Sequence, residues 1–121
     1  MKLYPLLLGT LLSALLLAGC VHPPKAYVAK DATESAVMAF AATKAPGLVV
    51  INVQKPTVPA EMLATAFAKN GIPYLVTLAD AKDDSMQTSL TVRVDAKTLQ
   101  LLPYQLDATP APLTKVKPSG K

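Results

Sequence analysis

The residues best placed to do chemistry lie near the amino end. Cys20 is the one cysteine of the chain, and it directly follows Leu17, Ala18 and Gly19. Two small residues before a thiol fit a narrow peptidase cleft, and the thiol can accept a diacylglyceryl group. A single thiol forms no intramolecular disulfide, so the fold must be stabilised by packing. The remaining chemical inventory is thin. General-base catalysis usually employs histidine, and the single His22 stands two residues after Cys20. Ser35, Ser85 and Ser89 offer only a formal serine–lysine pairing that no motif marks, so no catalytic residue is expected. Asp80, Asp83 and Asp84 carry the oxygen ligands a hard cation takes, but the turn glycine and closing glutamate of a calcium loop are missing. A solvated hairpin tip is the expected reading. Zinc would need several thiolate or imidazole ligands, and the chain has one of each, Cys20 and His22. Neither a metal nor a cofactor is expected from these side chains.

The segment that positions Cys20 begins with one charged residue, Lys2, followed by an apolar, uncharged stretch from Leu3 to Leu17. These are the n-region and h-region of a signal peptide. A membrane span needs about 20 apolar residues; this run is shorter and is closed off by Pro23-Pro24. The sequence Leu17-Ala18-Gly19-Cys20 resembles the bacterial lipobox. That resemblance implies signal-peptidase recognition through Leu17, Ala18 and Gly19, cleavage before Cys20, and palmitate-type acylation of the new terminus. One acyl chain binds a membrane only marginally, whereas a diacylglyceryl group plus an amide-linked chain anchors stably. In proteins with this motif an aspartate after the cysteine retains the product at the inner membrane. Val21 is not aspartate, which implies an outer-membrane lipoprotein facing the periplasm.

The expected domains are 1–19 signal peptide, 20–30 lipidated cysteine and tether, 31–107 periplasmic domain, and 108–121 basic proline-rich disordered tail. Removing the leader leaves about 100 residues, enough for one domain with a modest core. Asp31 can cap a helix with Val37, Phe40 and Ala41 on one face, stopped by Ala45-Pro46-Gly47. Leu48–Gln54 is a β-branched run, with alternation placing Val49, Ile51 and Val53 together. Thr57 and Pro59 open a second helix running to Asn70-Gly71, where glycine can take the left-handed cap; its stripe is Met62, Leu63, Ala66 and Phe67. Ile72–Ala79 and Gln87–Asp95 alternate as strands, burying Tyr74, Val76 and Leu78, and Leu90, Val92 and Val94. Asp95–Thr98 makes a tight connection to a last strand near Leu99–Leu106, confined by Pro103 to an edge or bulge. The expected fold is a small α+β two-layer sandwich. Two helices lie on one face of a mainly antiparallel four-stranded sheet, in the order α-β-α-β-β-β.

Strict alternation cannot bury Leu101 and Leu102 on one face. Either a bulge at Leu102-Pro103 redirects the chain or one face meets another protein. Tyr27, with the tether prolines, is either part of a docking segment or part of a plain spacer. Tyr27, Leu101 and Tyr104 are therefore the candidate partner-docking residues. The formal charge of +4 falls when Lys2 leaves with the leader and acylation blocks the new terminus. Lys115, Lys117 and Lys121 could attract anionic lipid, cell-wall polymer or nucleic acid through screened charge. The tail holds no aromatic side chain for base stacking, and no specific nucleic acid partner is expected.

The lipobox, the helix around Ala36–Ala42, the Leu48–Val53 strand, the helical run Leu63–Gly71, the Leu90–Val94 strand and Tyr104 together resemble the conjugal transfer lipoproteins of the TrbH type. The order is also similar to the small ring-forming domains of secretion lipoproteins and secretins. The resemblance implies a non-enzymatic, lipid-anchored structural or assembly component of a plasmid conjugation or type IV secretion complex, with envelope channel proteins as partners. A ligand-binding or cell-wall-binding lipoprotein and a surface exclusion lipoprotein are the alternatives. An aromatic content of 5% weighs against a ligand groove.

Overall fold

The computed structural model describes residues 22–116. Asp31, in extended conformation, starts α1 (Ala32–Lys44) by accepting the Glu34 N–H at 2.8 Å. Glu34 reaches back to accept the Lys30 N–H at 2.9 Å. This is a reciprocal cap, displaced one residue from the usual capping box. Both carboxylates also face the positive end of the helix dipole. Pro46 and Gly47, the latter at φ 87°, end the helix and turn the chain into β1 (Leu48–Gln54). Val37 and Ala41, one turn apart, are fully buried against the sheet, as an amphipathic helix requires.

Antiparallel strands β1, β2 (Ile72–Asp80), β3 (Met86–Val94) and β4 (Thr114–Lys115) lie in that spatial order. With α2 (Ala60–Ala66) between β1 and β2, the element order is the expected α-β-α-β-β-β. Along β2 and β3 the expected faces hold: Tyr74, Val76, Leu78, Leu90, Val92 and Val94 are buried. On the other face, Leu75 and Ser89 are exposed, with Thr77 and Thr91 half-buried. Pro73 sits in β2 at no cost to the ladder. It pairs with Arg93, whose own N–H and C=O are bonded on the far side of β3, and β1 ends at the Gln54–Leu75 pair.

Three expectations are corrected. First, the β1–β2 register shifts between Val50 and Asn52. Val50 and Val53, rather than Val49, Ile51 and Val53, are therefore the buried residues of β1, since a bulge inserts one residue and swaps the faces beyond it. Second, α2 ends at Ala66, and turns carry the chain through Asn70. Leu63 and Phe67 pack against the same core cluster as Val37, while Met62 and Ala66 are exposed. Third, Leu99–Leu106 does not form the fourth strand. Asp95 accepts the N–H groups of Lys97 and Thr98, making the expected tight turn, but Leu101 forms only an isolated bridge with Val94. Beyond it Leu102 donates its N–H to the Arg93 carbonyl, and Pro103 cannot continue a ladder.

The fourth strand instead comes from the segment expected to be a disordered tail. Ala108 is buried, the Thr88 hydroxyl donates to the Ala111 carbonyl at 2.6 Å, and Thr114–Lys115 pairs with Met86 and Gln87. Prolines within this stretch limit regular pairing to two residues, yet its backbone still follows the β3 edge.

Gly71, at φ 80°, ends the α2 turn and tolerates no side chain. A Cβ there would lie 2.7 Å from Leu102 Cδ1 and 2.9 Å from the Val94 carbonyl oxygen. Leu102 thus closes over Gly71 while Leu101 packs on the core. The two adjacent leucines thus pack in different surroundings without a strand bulge, because the segment makes no ladder beyond the Leu101 bridge.

Candidate functional site

Cys20 and its recognition residues Leu17, Ala18 and Gly19 lie outside the described residues, as does all of the expected leader. From His22 onward the chain is bonded to the domain. The His22 carbonyl accepts the Asp84 N–H at 2.8 Å, and the Tyr27 N–H donates to the Val50 carbonyl on edge strand β1 at 2.9 Å. The Tyr27 hydroxyl donates to Glu34 Oε1 at 2.9 Å, the same oxygen that accepts from Lys30. Burial, then the Glu34 hydrogen bond and the Glu34 and Asp31 charges, push the Tyr27 phenol above its ordinary pKa. The segment expected to be a free tether is therefore fastened to the hairpin, to β1 and to α1.

The hairpin carboxylates serve the hairpin itself. Asp80 Oδ2 accepts the Lys82 N–H, and Asp83 Oδ1 accepts both the N–H and the hydroxyl of Ser85. Those two bonds hold the Asp83 carboxyl below its usual range. Asp84 offers its N–H to His22. Among the described residues no group of three or more His, Cys, Asp or Glu side chains is placed to hold a metal ion. Ser85 bonds Asp83, and Ser35 and Ser89 are exposed.

Of the three candidate docking residues, Tyr27 and Leu101 are half-buried and pack on the core, and Tyr104 is 80% exposed. Tyr104 borders a cleft of about 560 Å³ whose walls include Lys69, Asn70, Arg93, Leu102, Leu106 and Asp107. Arg93 lies across its floor, with Nη2 and Nε at 3.0 and 3.1 Å from Asp107 Oδ2 and Nη1 at 3.4 Å from the Asn70 carbonyl. Leu106 is 86% exposed.

Gln105, between the two exposed side chains, turns inward. Its Oε1 accepts the Arg93 N–H at 2.7 Å, and its Nε2 donates to the Arg93 and Leu102 carbonyls at 2.8 and 2.9 Å. With the Thr91 N–H donating to the Asp107 carbonyl, residues 105–107 are fixed along the β3 edge. Tyr104 and Leu106 are thus presented outward from a bonded backbone. Sequence reasoning missed the roles of Gln105 and Leu106. The available signal was a polar amide alternating with Tyr104 and Leu106 in a stretch that strand alternation alone could not explain. No helix among the described residues is long and apolar enough to cross a membrane. Comparison with protein-family models, curated proteins and solved structures finds no match for this chain.

Proposed function

We propose that the protein is a lipid-anchored envelope component. Cys20 carries the lipid, and the folded domain binds another envelope protein during assembly of a conjugation or type IV secretion complex. The lipobox and the uncharged leader support the anchor. The likeness in element order to conjugal transfer lipoproteins supports the class of complex. The observation that carries the binding role is the outward pair Tyr104 and Leu106, 80% and 86% exposed on a segment whose backbone Gln105 and Asp107 hold to β3. Large side chains held this way meet a partner with little ordering cost, the condition under which aromatic anchors contribute most to binding. No residue of the chain is assigned a catalytic role.

Anchoring adds to this weak surface by confining the domain and a membrane-embedded partner to one layer, which raises their effective concentration. The site of action is then the periplasmic face of the outer membrane. Radioactive palmitate supplied to a host that processes lipoprotein precursors should label the product, and Cys20→Ser should abolish labelling and assembly while leaving a folded domain. Full complex assembly by an unlabelled, soluble Cys20→Ser protein would falsify the anchoring role. Crosslinking in intact cells should trap a channel protein of the same envelope. Trapped glycan would favour the cell-wall reading, and a protein of another cell's transfer apparatus would favour surface exclusion.

A further inference from the structure

Both ends of the described chain arrive at one place. His22 takes the N–H of Asp84 at 2.8 Å, and Val116 donates its own N–H to the carbonyl of the next residue, Ser85, also at 2.8 Å. The β2–β3 hairpin, residues 81–85, thus holds the entering and the leaving chain side by side. Two peptide steps separate Cys20 from His22, a reach of at most about 7 Å even when fully extended. A lipid on Cys20 could not hang the domain on a long leash, because the leash ends where the hairpin begins.

We infer that the β2–β3 hairpin end of the sheet faces the bilayer that holds the Cys20 acyl chains, while the Tyr104–Leu106 cleft is carried at the opposite end. This rests on the acylation of Cys20 proposed above. Eight residue steps along β3, from Met86 to Val94, span about 26 Å, and the cleft borders the far end of that strand at Arg93. Lys82 and Lys115, both exposed, lie at the near end beside Asp80, Asp83 and Asp84, so side-chain charge does not favour an anionic headgroup layer here. The orientation is set by backbone bonds on both chain ends rather than by side-chain charge, so salt should alter it little. The periplasmic part of a membrane-embedded partner would reach the cleft at this membrane-distal end, unobstructed by the lipid surface.

Because the sulfur of Cys20 is consumed by acylation, an introduced cysteine becomes the one free thiol. Lys82→Cys, in the hairpin, and Lys97→Cys, in the Asp95 turn beyond the far end of β3, are matched exposed lysine positions. Each full-length protein is purified from a host that acylates lipoproteins, labelled with a small fluorophore, and reconstituted in phosphatidylethanolamine–phosphatidylglycerol vesicles carrying a headgroup nitroxide. The label at position 82 should be quenched several-fold more strongly than that at position 97, with the same ratio at high salt. Equal quenching, or stronger quenching at 97, in protein whose amino-terminal peptide carries lipid by mass spectrometry would overturn the orientation and leave the anchor intact. An unmodified Cys20 in that peptide would overturn the anchor itself, and the orientation with it.

Discussion

The carboxamide of Gln105 takes the place of a strand residue opposite Arg93, bonding both its N–H, at 2.7 Å, and its C=O, at 2.8 Å. A backbone neighbour would offer the same acceptor and donor, so one side chain continues the β3 edge where the chain itself has turned away. Gln105→Leu leaves the half-buried Arg93 N–H without this partner. It should lower stability by about 1–3 kcal/mol, read from urea unfolding. The amide of Arg93 should lose hydrogen-exchange protection in this variant while that of Val76, in the central strand, keeps it.

Gly71 and Gly47 separate two costs of adding a methyl group. Both have positive φ, at 80° and 87°. A Cβ at Gly47 meets nothing within 4 Å, whereas at Gly71 it meets the Val94 carbonyl oxygen at 2.9 Å as well as Leu102. Gly47→Ala should cost about 1 kcal/mol, from backbone conformation alone. Gly71→Ala should cost at least about 2 kcal/mol, because a paired strand carbonyl cannot move away. Equal midpoints in urea for the two variants would contradict the packing of Leu102 and Val94 around Gly71.

The regular elements were legible because burial imposes a period on them. Val37 and Ala41 one turn apart, the alternations of β2 and β3, the Asp31 cap and the Gly71 turn all follow from local rules. The bulge at Ile51 was not legible, since Leu48–Ile51 is apolar on both faces and strict alternation past the polar Asn52 points to Val49, Ile51 and Val53 as the inward face. Thr114 and Lys115 form a strand too short for any period, in a proline-rich context that reads as tail. Residues 22–30 carry no pattern either, although Tyr27, an aromatic in a polar stretch, was the visible sign of a docked segment. For the site, Cys20 is legible from its neighbours alone. Tyr104 was named with Tyr27 and Leu101, and separating the outward residue from the two inward ones required the path of the chain after Pro103.

The carboxyl end contributes to the fold. Ending the chain at Pro110 would remove the Ala111 acceptor of Thr88, the β4 pairing with Met86 and Gln87, and the Val116 bond to Ser85. Loss of these bonds should lower stability by about 2 kcal/mol or more, seen as a lower thermal midpoint. A free tail would leave that midpoint unchanged.

Stability should fall at both extremes of pH for identifiable reasons. The Asp95 carboxyl is held below its ordinary value of 3.8 by the N–H groups of Thr98 and Lys97. Its contribution is therefore present above that value and lost as pH falls through the lower folded-state pKa, and Asp95→Asn should flatten the acid limb. Tyr27 behaves in the opposite sense. Its phenol is raised above 10.0 by burial and by Glu34, so its contribution is complete below that value and lost as pH rises through the folded-state pKa. Tyr27→Phe should reduce the alkaline decline and leave the acid limb unchanged, as followed by circular dichroism across the pH range.

Tyr104 and Leu106 provide the sharpest separation of binding from folding. At 80% and 86% exposure they give the domain little packing, while the bonds that hold their backbone belong to Gln105 and Asp107. Tyr104→Ser with Leu106→Ser should therefore change stability by no more than about 0.5 kcal/mol and leave acylation of Cys20 unaffected. In intact cells the same double variant should lose its crosslinks to the envelope partner and fail to support assembly, whereas Gln105→Leu should weaken both folding and binding. A doubly substituted protein that still crosslinks and assembles normally would move the docking surface elsewhere on the domain. The exposed sheet face around Leu75 and Ser89 would then be the next surface to test, because it too is ordered and open to solvent.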